Sequence, residues 1–94
     1  MNAYLKKEKD FTLLTIEGKF DYLACDDFNK VVSGLEGENV VIDLSNLAYI
    51  SSSGLRCLLN ISKVNNVLKV LNPNDMVYEV LEMTGFTDFL NVER

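Results

Sequence analysis

Histidine is absent from this chain of 94 residues. That absence removes the usual general base, the Ser-His relay and the commonest zinc ligand together. Cysteine is scarce: Cys25 and Cys57 lie far apart, form no CxxC unit and are expected as buried, unpaired thiols. No cluster of Lys or Arg relieves the net charge of −5. Nucleic acid and anionic membranes are therefore poor partners, since both demand a basic footprint, and a protein with a basic face fits better. Apolar runs fall well short of the ~20 residues of a membrane helix. The start, Met1-Asn2-Ala3-Tyr4-Leu5-Lys6-Lys7, lacks the apolar core of a signal peptide, so a cytoplasmic location is expected. GxGxxG, Walker, HExxH and GxSxG patterns are all missing. A nucleophilic serine without histidine would need a lysine base, and Lys63 sits well down the helix that follows the serines. Neither catalysis nor a cofactor or metal is expected.

What is present suits one ordinary globular domain spanning residues 1–94. With 48% of residues apolar and 24% charged, the chain can bury one modest core. A core of that size supports a net stability of roughly 5–15 kcal/mol without disulfides or metals.

Tyr4 to Glu8 reads as a charged edge strand, Lys9-Asp10 as a turn, and Phe11 to Glu17 as a second strand ended by Gly18. Asp21 is placed to cap a helix whose inner face is Ala24, Phe28, Val31, Val32 and Leu35. Asp26, Asp27 and Lys30 point elsewhere, and the two aspartates are a solvated face in preference to a cation site. Gly34 and Gly37 offer left-handed positions for the helix to stop. Val40-Val41-Ile42 is apolar without alternation, as in a strand buried on both faces of a parallel sheet. Asp43 then closes that strand as an Asx turn, and Asp43-Leu44-Ser45-Asn46 carries the chain into a loop ahead of Tyr49-Ile50 and the serines.

A second helix runs from the serines to about Lys63, burying Leu55, Leu58, Leu59 and Ile61 and exposing Arg56, Asn60 and Lys63 as one stripe. Val67 to Leu71 is a further short strand. In the third helix Asn72 is the expected cap and Pro73 the first helical residue, with Asp75 facing the dipole. Its inner face is read as Met76, Val77, Val80, Leu81 and Thr84, and Gly85 ends it. Phe86, Phe89, Leu90 and Val92 pack the tail with a short last strand. The order β-β-α-β-α-β-α implies an α/β fold: a mixed, mainly parallel sheet made of an initial hairpin plus βα units, with helices packed on it.

In such sheets, sites gather beyond the carboxyl ends of the parallel strands. There Ser51, Ser52 and Ser53 stand in a row where a helix starts, next to unpaired N–H groups and the positive end of the dipole. One capping serine is the plain structural role, worth roughly 0.5–2 kcal/mol. It does not account for three. A phosphoacceptor is the other role, because a phosphate at a helix amino terminus adds roughly −1.5 to −2 charges without opposing the fold.

The string Val40-Val41-Ile42-Asp43-Leu44-Ser45, followed by Tyr49-Ile50-Ser51-Ser52-Ser53-Gly54-Leu55-Arg56, resembles the signature of STAS domains, above all those of bacterial anti-sigma factor antagonists. The family pattern is a hydrophobic strand ending in Asp-Leu-Ser, a loop, then Asp-Ser-Ser/Thr-Gly-Leu opening a helix. The resemblance extends over the initial hairpin, the Gly18–Asp21 turn, the first helix and the last helix into Gly85-Phe86.

It implies a partner switch. The unphosphorylated antagonist binds an anti-sigma factor, itself a serine kinase of the GHKL type, and frees a sigma factor. Phosphorylation releases the antagonist until a PP2C-type phosphatase resets it. Aligned on Gly54-Leu55, the acceptor is Ser52, and Ser53 matches the second hydroxyl residue, which caps the helix. The family's Asp before the acceptor is Ser51 here, so Ser51 and Ser53 stand as alternative acceptors. The partner surface is expected to comprise Ser51, Ser53, Gly54, Arg56, Asn60 and Lys63. A STAS module of a stressosome, of a transporter system or of a small-ligand sensor would keep the same fold and the same Asp-Leu-Ser strand.

Overall fold

The computed structural model describes residues 1–94. β1 (Asn2–Lys7) and β2 (Thr12–Phe20) form the expected antiparallel hairpin, in register from Asn2 opposite Glu17 to Lys7 opposite Thr12. Along β2 the alternation is visible as burial: Thr12, Leu14 and Ile16 are inside, while Leu13 and Thr15 are half-buried. β2 does not stop at Gly18. The glycine takes a left-handed φ of 86°, the pairing register shifts between Gly18 and Lys19, and the strand continues to a fully buried Phe20. A residue without Cβ tolerates that conformation, so it bends the strand where a stop was expected.

Asp21 accepts from the Leu23 amide at 3.1 Å, capping a 3-10 turn (Tyr22–Ala24) that leads into α1 (Cys25–Val32). Ala24, Phe28, Val32 and Leu35 are buried and Val31 half-buried, as their spacing requires. The Phe28 ring packs on Phe20 with centroids 4.7 Å apart. Of the two glycines beyond the helix only Gly37 is left-handed; Gly34 is not.

β3 (Asn39–Asp43) is the central strand, parallel to β2 on one side and to β5 (Asn66–Leu71) on the other. Its Val40, Val41 and Ile42 are all buried. The segment expected as a loop between Asp43 and the serines contains a strand of its own, β4 (Leu47–Ile50), which runs parallel to the far half of β2. Leu47 and Ile50 point inward while Ala48 and Tyr49 are exposed. α2 (Ser52–Val64) follows, burying Leu55, Cys57, Leu58 and Ile61, with Leu59 half-buried.

α3 (Asp75–Met83) is capped by Asn74, two residues later than expected. The Asn74 Oδ1 accepts from the Val77 amide at 2.8 Å, and its Nδ2 donates to the Leu47 carbonyl at 3.1 Å, which ties the helix start to β4. Asn72 instead turns the chain with a φ of 58°, and Pro73 lies ahead of the cap. Only Val77 and Leu81 of the expected inner face are fully buried; Val80 is half-buried, and Met76 and Thr84 are exposed. Gly85, at φ 82°, ends the helix as expected. α4 (Phe86–Phe89) and β6 (Val92–Glu93) close the chain, with Phe86 and Leu90 buried and Phe89 outside. The sheet has the order β1-β2-β3-β5-β6, with β4 beside β2, and only the first pair is antiparallel. The result is a mixed, mostly parallel six-stranded sheet with four helices packed on it.

Candidate functional site

The carboxyl ends of β2, β3 and β4 place the serine segment. Asp43 at the end of β3 accepts from the Ser45 amide at 3.0 Å, the Asx turn that redirects the chain toward β4. Beyond β4, the Ser51 amide and hydroxyl both donate to the Phe20 carbonyl, at 2.9 and 3.2 Å. The same Ser51 oxygen accepts from the Gly54 amide at 3.2 Å. Ser51 is therefore the cap of α2, and the capping role expected for Ser53 falls to the residue two positions earlier. The reason is tertiary: the Phe20 carbonyl reaches over from β2 and holds Ser51 in the extended conformation a cap needs.

Ser52 is the first residue of α2 and is exposed; Ser53 is half-buried. Gly54 sits where the helix touches β2. A Cβ there would lie 2.6 Å from the Phe20 carbonyl oxygen, 2.9 Å from Ile50 Cγ1 and 3.0 Å from Phe20 Cγ. Its backbone is helical, so the requirement for glycine is one of space and not of φ.

Beside the serines lies a cavity of about 360 Å³ between the two helices. Ser52, Ser53, Arg56, Cys57 and Asn60 form its α2 wall. Tyr22, Cys25 and Asn29 form the opposite wall, from the 3-10 turn and α1. Of the stripe on α2, Arg56 and Asn60 line the cavity, whereas Lys63 is exposed further along the helix and lies outside it. Sequence reasoning missed the α1 wall. Its signal was Tyr22, an aromatic residue that has no place in the buried periodicity of α1 and stands 75% exposed.

Cys57 is buried as expected, but Cys25 is half-exposed in the cavity wall. Burial first, and then the neighbouring Cys25 thiol, push the Cys57 thiol up to about 12. From Leu44 to Asn74 the chain contains no Asp or Glu, and its charged residues are Arg56, Lys63 and Lys69. No three His, Cys, Asp or Glu side chains converge as a metal site would require. No helix is long and apolar enough to cross a membrane.

A single α/β domain with a hydroxyl-bearing helix start at the carboxyl ends of its parallel strands is the class that these features define. The chain belongs to the STAS domain family, whose model matches residues 2–94. Among curated proteins, no sequence matches this chain at a significant level. Similar solved structures include an anti-sigma factor antagonist from Mycobacterium paratuberculosis, with a TM-score of 0.89 and 14% identity, covering 98% of this chain and 84% of that one. The anti-sigma factor antagonist SpoIIAA in its unphosphorylated form has a TM-score of 0.75 at 17% identity, covering 97% of this chain and 87% of that one. The Bacillus cell fate determinant SpoIIAA in its phosphorylated form has a TM-score of 0.64 at 15% identity, with 97% and 90% covered. At these identities the likeness is one of fold.

Proposed function

We propose that this chain is an anti-sigma factor antagonist that acts by partner switching and is not itself an enzyme. Unphosphorylated, it binds an anti-sigma factor serine kinase of the GHKL type and frees a sigma factor in the cytoplasm. Phosphorylation of Ser52 releases it, and a PP2C-type phosphatase restores the binding form. The observation that carries this reading is the position of Ser52: exposed, first in α2, and on the rim of a cavity with Arg56 one turn further on.

The chemistry supports Ser52 over its neighbours. Ser51 has its oxygen engaged by the Gly54 amide and the Phe20 carbonyl, and Ser53 is half-buried. A phosphate on Ser52 would meet the positive end of the helix dipole, and the fold accepts it there. It would take the net charge from −5 to roughly −7, concentrated on a partner surface formed by the serines, Gly54, Arg56, Asn60 and Lys63. Arg56 follows Ser52 at the i+4 spacing, so the phosphate also competes with the partner for that guanidinium. A phosphate pressed against a partner without a cation of its own costs several kcal/mol, and every 1.4 kcal/mol is about tenfold in affinity.

The test is fragment mass spectrometry after incubation with ATP and the anti-sigma kinase, alongside binding of Ser52→Ala and Ser52→Asp. A single phosphate on Ser52, an Ala variant that binds and never releases, and an Asp variant weakened at least tenfold are the expected results. A phosphate on Ser51 or Ser53 would keep the function and move the acceptor. No phosphate with an active kinase, or an Asp variant of unchanged affinity, would overturn the switch.

A further inference from the structure

We infer that the outer face of α3 is a second docking surface, and that its occupant is a basic amphipathic helix of a partner protein. The face carries Met76, Val80 and Met83, spaced i, i+4 and i+7 and so aligned in one stripe. Met76 is 58% and Met83 77% exposed, with Val80 half-buried between them. Val77 and Leu81 bury the inner side of the helix and Val80 packs against the edge of the core, so the two methionines are the part of the stripe that the fold leaves uncovered. Two methionines so far out of the core are unbranched and polarizable, and they adapt to an apolar surface laid against them.

The charge around the stripe fixes the chemistry of what covers it. From Asp75 to Phe89 the chain holds Asp75, Glu79, Glu82 and Asp88 and no Lys or Arg. Glu79, three residues after Met76 and four before Met83, borders the stripe, and Glu82 stands beyond Glu79 on the next turn; both are exposed, and no cation of this chain forms an ion pair with either. Farther round the helix, on the side of Asp75 and Tyr78 and not on the methionine stripe, the chain's own Arg94 occupies the acidic side. Its guanidinium pairs with Asp75 and lies 4.3 Å from the centre of the Tyr78 ring. Carboxylates flanking an apolar stripe match a helix with apolar residues on one side and Lys or Arg beside them. The same carboxylates repel anionic lipid and nucleic acid.

This surface is separate from the serine site. The cavity at Ser52 lies between α1 and α2, and no residue of α3 lines it; α3 packs on β4 and α4. A partner held on α3 therefore leaves Ser52 open, and the inference stands whether or not Ser52 is the switch.

The experiment uses the full chain labelled at its methionine methyl groups, which gives three reporters: Met1, Met76 and Met83. The probe is a synthetic peptide of Leu and Lys ordered so that, as a helix, it has one apolar and one basic face. The expected result is a saturable shift of the Met76 and Met83 methyl signals with Met1 unmoved. A peptide of the same composition in scrambled order should shift neither. Glu79→Lys with Glu82→Lys should weaken binding at least about fivefold at low salt while the melting midpoint stays near that of the parent. Ser52→Asp should leave the titration unchanged. Silent Met76 and Met83 signals, equal binding of the scrambled peptide, or undiminished affinity of the charge-reversed variant would each overturn the inference.

Discussion

Gly54→Ala is expected to destabilise the domain, although alanine in a helix is ordinarily favoured over glycine by about 1 kcal/mol. The added Cβ would fall 2.6 Å from the Phe20 carbonyl oxygen, a backbone atom, and 2.9 Å from Ile50 Cγ1. Neither can move independently: Phe20 is fully buried in the sheet and Ile50 nearly so. The start of α2 must therefore lift. Overpacking of this kind costs about 1–3 kcal/mol. Lifting the helix also strains the Ser51 cap and its bonds to the Phe20 carbonyl, at about 0.5–2 kcal/mol for the cap. Set against the helix propensity gained, the net loss is about 0.5–4 kcal/mol. For a domain of this size each kcal/mol lowers the melting midpoint by about 4–8 °C. Calorimetry and urea unfolding read the change directly. Gly34→Ala is the control, since nothing lies within 4 Å of a Cβ there and its φ is not positive; it should be neutral or gain about 0.4–1 kcal/mol. A Gly54→Ala protein as stable as the parent would refute the close approach of α2 to β2.

Stability also separates the serines: Ser51→Ala should cost about 0.5–2 kcal/mol through the lost cap, whereas Ser52→Ala, at an exposed position, should stay within about 0.5 kcal/mol. Equal costs in urea unfolding would contradict the capping role of Ser51. The Lys7 ammonium, 2.6 Å from Glu38, and then the Thr12 hydroxyl hold the Glu38 carboxyl below its ordinary value of 4.5. A lowered folded pKa makes the contribution present above the unfolded value and lost as pH falls through the folded one. Glu38→Gln should therefore flatten the acid side of the stability profile below about pH 5, and an unaltered profile would rule out the pair as its source. With Cys57 pushed up to about 12 and buried, iodoacetamide at pH 8 should modify Cys25 first and Cys57 only on unfolding. Equal labelling of both thiols in the native protein would show that α1 and α2 open more readily than this packing allows.

Much of the fold was legible because its signals are local. The 3.6 period of Ala24, Phe28, Val32 and Leu35 specifies one face of α1, and the unbroken Val40-Val41-Ile42 marks a strand covered on both sides. The errors share a cause. β4 is too short for its alternation to stand out, and its partner, the far half of β2, lies well back in the chain. Gly18 reads locally as a terminator, yet the sheet uses it to bend a strand that continues. Asn72 and Asn74 are equally good caps by residue type, and the Leu47 carbonyl decides between them.

The serine site divides along the same line. By itself the sequence determined that a run of hydroxyls precedes an amphipathic helix after a buried strand, that no histidine stands nearby to make them catalytic, and that Arg56 and Asn60 share a face. These follow from residue type and spacing, which act over a turn or two of chain. The tertiary structure decided which serine is the cap, because that depends on the Phe20 carbonyl, 31 positions away from Ser51. It also brought Tyr22, Cys25 and Asn29 across from α1 to close the cavity, and it left Met76 and Met83 in solvent. Helical spacing tells which residues can share a face, but only the packing of β4 and α4 against α3 determines which of its faces is covered.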